Sequence, residues 1–287
     1  MYTPDLAYIT TDELAFSLKP ILIGLLQGQP NERTEIYNLL ISRAAEPEVI
    51  AAITSILMPH TGDDDGVTQI IRGHIIYRVL KRVSFEQLQA YQNTIAAVNA
   101  YNTGYSKDRL EFYLDNMRRL ERFMVEPEAV WVAEDWYDFV GCRTLADRVH
   151  TAEQMRPYMR EMYQWFEDRN DLPYSCCAEQ LARFPEAAAA VAAEVIDEVV
   201  AGKVDLERNV GRLNNIVDFM AEHIPDGEAR VVLQQSIESL TQTLKKVVKE
   251  GSRDDYAYCL EASEEWLSEL NGWETDESEE EENERNY

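Results

Sequence analysis

Apolar residues recur in the second half of the chain at steps of four and three. Leu206, Val210, Leu213, Val217 and Met220 form one series, and Leu233, Ile237, Leu240, Leu244 and Val247 form another. A helical turn takes about 3.6 residues, so each series lines one narrow stripe of a helix. Between them, Ile224-Pro225-Asp226-Gly227 reads as a turn, and the spacing predicts two helices folded back as an antiparallel hairpin. Tyr256, Leu260, Ser263, Leu267 and Leu270 repeat the stepping less purely, while Val191, Val195, Ile196, Val199 and Val200 share one side of a helix opened by Pro185. Four such helices predict an antiparallel bundle over residues 171–271.

The first half carries its helix signals at the starts. Thr10-Thr11-Asp12-Glu13, Ser84-Phe85-Glu86-Gln87 and Thr151-Ala152-Glu153-Gln154 read as capping boxes, in which a hydroxyl and a Glu or Gln three residues later satisfy free amides. Pro47-Glu48, Pro127-Glu128 and Pro185-Glu186 place proline at a first helical position and a carboxylate at the positive helix end. Helices are expected over 11–27, 32–45, 48–57, 68–82, 85–100, 107–124, 128–139 and 152–168. Val130, Val132 and two tryptophans leave a strand open as the alternative near 129–140. The irregular spacing of the starts gives no period that would support a solenoid. The expectation is an all-α protein: a multi-helix N-terminal domain over 1–170, the bundle, and an acidic tail over 272–287 that lacks apolar periodicity and is expected to be disordered.

With 287 residues and 45% hydrophobic content, the chain can bury sizeable cores. No apolar run approaches the roughly 18–20 residues of a membrane span, and the N-terminus lacks the pattern of a secretory signal, so a cytoplasmic protein is expected. Cys142, Cys176, Cys177 and Cys259 are too few and too irregular for a disulfide framework or a zinc site, and the adjacent Cys176 and Cys177 are expected to be free thiols, with a redox-active pair as the alternative.

Charge changes the picture most. The formal net charge is −26, and residues after 150 hold 32 acids against 13 bases. Such a surface repels nucleic acid and anionic lipid and attracts cations over about 8 Å. Neither direct nucleic-acid binding nor membrane binding is expected.

Signatures of catalysis are missing: no phosphate loop, no dinucleotide fingerprint and no nucleophile elbow occurs. Aligning Gly66 of Asp63-Asp64-Asp65-Gly66 with the sixth position of a calcium loop leaves Arg72 where a bidentate Glu belongs, so a solvated turn is expected. Asp147 and His150 form half of a di-metal motif whose second half is absent. No enzyme activity, cofactor or metal is expected. Basic residues group at Arg72, Arg78, Lys81 and Arg82, and at Arg118, Arg119 and Arg122, where they would pair with acids nearby or on another copy of the chain, giving a homo-oligomer.

Two features suit a protein partner. Asp135-Trp136-Tyr137-Asp138 offers Asp135, Trp136 and Asp138 as an anchor for a basic surface, with an apolar core as the plainer alternative for the aromatics. Asp254, Asp255, Glu261, Glu264, Glu265 and Glu269 put carboxylates along one helix. An all-helical acidic body ending in glutamates resembles, in composition, the small DNA-mimic antirestriction proteins of phages. That resemblance implies an inhibitor seated in the nucleic-acid groove of a target. One helix is too sparse for the task alone: duplex DNA carries about one charge per 1.7 Å, roughly sixteen over a helix of about 28 Å, against six here. The expected function is capture of a basic surface on a nucleic-acid-processing protein, such as a defence nuclease. The alternative is a helical adaptor that binds through apolar and aromatic surface.

Overall fold

In the computed structural model, the described residues are Thr10, Leu18, Leu22, 30–58, 66–101, 107–223, 227–249 and 254–284. Among them the chain is all-α, with no strand. It divides into two compact units, residues 1–129 and 130–287. The boundary expected at 170 falls inside the second unit, because the segment before it supplies Val132, Leu145, Val149, Met155, Met159 and Met162 to that unit's core. The expected helix at 11–27 and the Thr10 capping box lie largely outside the described residues, as does the Asp63–Asp65 turn.

The first unit contains α1 (Pro30–Ser42), α2 (Pro47–Leu57), α3 (Gly66–His74), a π-helical continuation (Ile75–Leu80), α4 (Phe85–Leu88), α5 (Gln92–Tyr101) and α6 (Lys107–Val125). Ser84 caps α4 in the expected box with Gln87, and Pro47 opens α2. The basic groups of this unit are engaged. Arg72 is buried and donates to the carbonyls of Ile56 and Met58 at the end of α2. Arg118 pairs with Asp115, and Arg122 with Glu126.

The second unit contains α7 (Phe139–Arg148), α8 (Ala152–Met162), a 3-10 turn (Tyr163–Glu167), α9 (Leu172–Ala182), α10 (Pro185–Val200), α11 (Leu206–His223), α12 (Glu228–Lys249) and α13 (Asp254–Glu284). Thr151 caps α8 with Gln154 as expected, and Pro185 opens α10. Pro127 opens nothing. Residues 126–138 are non-helical and not a strand, because Trp131, Val132 and Ala133 are threaded into the core and α7 starts only after them.

Both clean seams are buried: Val210, Leu213, Val217 and Met220 on α11, and Leu233, Ile237, Leu240 and Leu244 on α12. They are not each other's chief partner. α10 packs between α8 and α12, while α11 packs against the 3-10 turn and α13. The chief contacts are thus α10 with α12, α11 with α13 and α12 with α13, whereas an α11–α12 hairpin is the sequence expectation. The core's last described contributor is Leu267. Helical backbone continues on α13 to Glu284. No helix among the described residues is long and apolar enough to cross a membrane.

One cysteine expectation is overturned. Cys176 is not a free thiol; it is bonded to Cys142 of α7, with α-carbons 5.9 Å apart. A separation of 34 positions hides that proximity in the sequence, since it exists only once α7 and α9 pack together.

Candidate protein-binding surface

The loop before α7 is organised by a carboxylate. Asp138 is 3% exposed, and its oxygens accept from the indole N–H of Trp131 (3.1 Å) and from the amides of Glu134 (3.1 Å), Val140 (2.9 Å) and Gly141 (2.9 Å). The last two bonds make Asp138 the N-cap of α7. The Thr144 hydroxyl accepts from the Trp131 amide (3.1 Å) and donates to the Gly141 carbonyl (2.7 Å). At Gly141 a Cβ would stand 2.8 Å from the Ala133 nitrogen, so the helix can approach the threaded segment this closely only through glycine. Asp138 is therefore a buried fastener and not the exposed anchor that the sequence suggested.

What the fastening displays is aromatic. Asp135 is half-buried and accepts from the Tyr137 amide (2.8 Å). Trp136 is 55% exposed and Tyr137 49%, and Trp136 meets Trp165 edge to face with ring centres 6.2 Å apart. The Trp165 indole donates to the Ala133 carbonyl (3.1 Å), which ties the 3-10 turn to the loop.

Several charges beyond that turn are matched. Arg212 pairs with Glu167 (2.7 Å); Arg169 pairs with Asp218 and approaches Glu222 (3.8 Å). Elsewhere in the unit, Arg156 pairs with Glu194 (2.7 Å) and Arg160 with Glu198 (2.8 Å) across the shallow groove between α8 and α10. Burial, then the charges of Glu222 and Glu265, push the Asp218 carboxyl up against the opposing pull of Arg169. The Asp171 carboxyl is also raised, by burial and then by Asp168 and Glu167. Asp147 of the half-motif pairs with Arg143 (3.4 Å), and among the described residues no group of acids, histidines and cysteines converges as a metal site would.

α13 differs. Tyr256, Cys259, Ser263 and Trp266 face inward, and Asp254, Asp255, Glu261, Glu264, Glu265 and Glu269 are all exposed. Of these six, Glu264 pairs with Lys245 (2.8 Å), and among the described residues the other five have no ion-pair partner. Asp254, Tyr258, Glu261, Glu265 and Glu269 follow one another at steps of four, three, four and four, which sets them on one meridian of the helix. Tyr258 is 64% exposed within that line of carboxylates. Sequence reasoning missed it, although its offset from the inward positions on a helical wheel marks it as outward. Exposed acids without an ion pair among the described residues also occur elsewhere in the unit, Glu153, Glu161, Glu186, Asp197 and Glu238 included; on α13 they line up along one face.

Residues 131–267 match the model of a family described as Domain of unknown function (DUF5071). The matched span begins with the threaded segment and ends at the last described core residue of the second unit, so one packed body carries the whole match, including the aromatic loop and most of the α13 stripe. Comparisons with curated proteins and with solved structures give no match.

Proposed function

We propose that this chain is a cytoplasmic protein-binding inhibitor or regulator that captures a basic surface of a nucleic-acid-processing protein. The observation that carries the reading is the α13 stripe: four exposed carboxylates without an ion-pair partner among the described residues, Asp254, Glu261, Glu265 and Glu269, aligned with the exposed Tyr258. Uncompensated like charges cost self-repulsion in the free protein, and a cationic partner relieves it. Aromatic side chains with a polar tip are favoured at such interfaces because they bury large area with little loss of rotamer freedom. The reading assigns no catalytic residue.

A second reading rests on Trp136 and Tyr137, whose exposure suits an adaptor that docks through aromatic surface. Affinity capture from native-host lysate, released by a stepwise salt gradient, separates the two. The inhibitor reading expects release at moderate salt of a basic nucleic-acid-processing protein, and weakened capture by a variant combining Glu261→Gln, Glu265→Gln and Glu269→Gln. Capture indifferent to salt and to that variant, but lost with Trp136→Ala, overturns it in favour of the adaptor.

A further inference from the structure

All four cysteines lie in residues 130–287, and the structure sorts them into two kinds. Cys177 and Cys259 are buried, and burial pushes each thiol up to about 12, so neither supplies much thiolate near neutral pH. Cys142 and Cys176 are joined, with α-carbons at 5.9 Å, inside the span that a disulfide bridges. Cys142 is buried and Cys176 half-buried, so Cys176 is the more exposed residue of the pair.

The position of the bond is what matters. Cys142 lies in the first turn of α7, next to Gly141 and one turn from Asp138, the carboxylate that closes the Trp136–Tyr137 loop. The far end of α7 is held by other means: Arg183, the residue that ends α9, donates to the carbonyls of Leu145 (3.2 Å) and Val149. Guanidinium hydrogen bonds are indifferent to oxidants, and a sulfur–sulfur bond is not. α7 is therefore pinned at its C-terminal end under all redox conditions, and gains a covalent tie near its N-terminal end only when the cysteines are oxidised.

We propose that Cys142 and Cys176 form a reversible redox clamp that tightens the aromatic loop when oxidised and loosens it when reduced. In the oxidising direction both S–H bonds break and one S–S bond forms; two electrons and two protons pass to a small-molecule disulfide, which leaves as two thiols. In reverse, a small thiolate attacks the Cys176 sulfur and Cys142 leaves as a thiolate that takes up a proton. A second small thiol then frees Cys176 from the mixed disulfide. In a reducing compartment such a pair is transient and sensing, not a permanent staple. The clamp does not depend on the identity of any partner.

The test uses the full chain, equilibrated over a series of ratios of oxidised to reduced glutathione, then denatured, alkylated and weighed. Two alkylated cysteines are expected at the oxidising end and four at the reducing end, with Cys142 and Cys176 as the protected pair. Amide exchange over residues 131–141 is expected to be about tenfold slower in the oxidised protein, with residues 233–244 unchanged. Cys177→Ser should keep the difference of two, with one alkylated cysteine at the oxidising end and three at the reducing end, and keep the exchange contrast, while Cys142→Ser should abolish the difference; if that second variant does not fold, the comparison of the two redox states of the native chain decides alone. A constant number of alkylated cysteines at every ratio, a cross-link through Cys177 or between chains, or equal exchange in both states overturns the proposal.

Discussion

Four N–H groups converge on the Asp138 carboxylate, and the consequences of removing it are large for a single side chain. Asp138→Ala orphans the Trp131 indole and two amides of α7 in a buried site. Losing an N-cap costs about 1 kcal/mol and each orphaned buried donor about 1–3. A loss of about 3–5 kcal/mol is expected in urea unfolding, and Asp138→Asn, which keeps one oxygen, should lose about half as much. An unchanged midpoint for the alanine variant would mean that the loop is held by other contacts. The sequence misplaced this residue because Asp-Trp-Tyr-Asp has no local apolar pattern; burial of its second aspartate is decided by Trp131, seven positions upstream. Asp218 yields a second expectation. Burial is the main cause of its raised pKa, so its contribution is most favourable below the ordinary aspartate value and is lost as pH rises through the raised folded value. Unfolding followed from about pH 3.5 to 7 should therefore show Asp218→Asn gaining on the native chain as pH rises, with a gap that narrows toward the acid end. A gap that widens toward acid would mean that the Arg169 pairing outweighs burial.

Helix starts were legible at four of the local signals. The Ser84 and Thr151 boxes and the prolines at 47 and 185 each open a helix as read, and the two apolar seams mark α11 and α12 over nearly their full lengths. Pro127-Glu128 carries the same local signal and fails, because burying Trp131, Val132 and Ala133 in extended backbone outweighs the propensity of one turn. Partner choice was not legible, since an apolar stripe states that a helix is buried without saying against which neighbour. The outward face of α13 was read correctly for its acids and missed Tyr258. At this scale Tyr258→Ala is expected to leave the unfolding midpoint within about 0.5 kcal/mol of the native chain, as exposed positions do. The same substitution should weaken capture of a basic partner about fivefold to twentyfold, the range of an aromatic interface contact worth about 1–2 kcal/mol. Unchanged capture would remove the tyrosine from the surface. Glu264→Gln should matter least of the α13 acids, because its charge is already matched by Lys245 and an exposed pair contributes at most about 1 kcal/mol.

Whole-molecule charge was readable from composition, but its assignment required the fold. Residues 1–129 hold 17 acids against 12 bases, and residues 130–287 hold 36 against 15, so the excess belongs almost entirely to the second unit. Part of it is matched by Arg156, Arg160, Arg169 and Arg212, and part is left on α13. These two populations respond to salt with opposite signs. Screening weakens these arginine pairs, each worth about 0.2–1 kcal/mol, and also weakens repulsion among the unmatched acids. With 21 more acids than bases in this unit, repulsion should win. Raising sodium chloride from about 20 to 500 mM is therefore expected to lift the thermal midpoint of the second unit by about 2–4 °C, the shift that about 1 kcal/mol gives a body of this size. The same salt change should abolish capture of a basic partner, because attraction between the molecules and repulsion within one are screened together. A midpoint that falls would mean that the arginine pairs dominate, and α13 would then lack the uncompensated field on which a cationic partner depends.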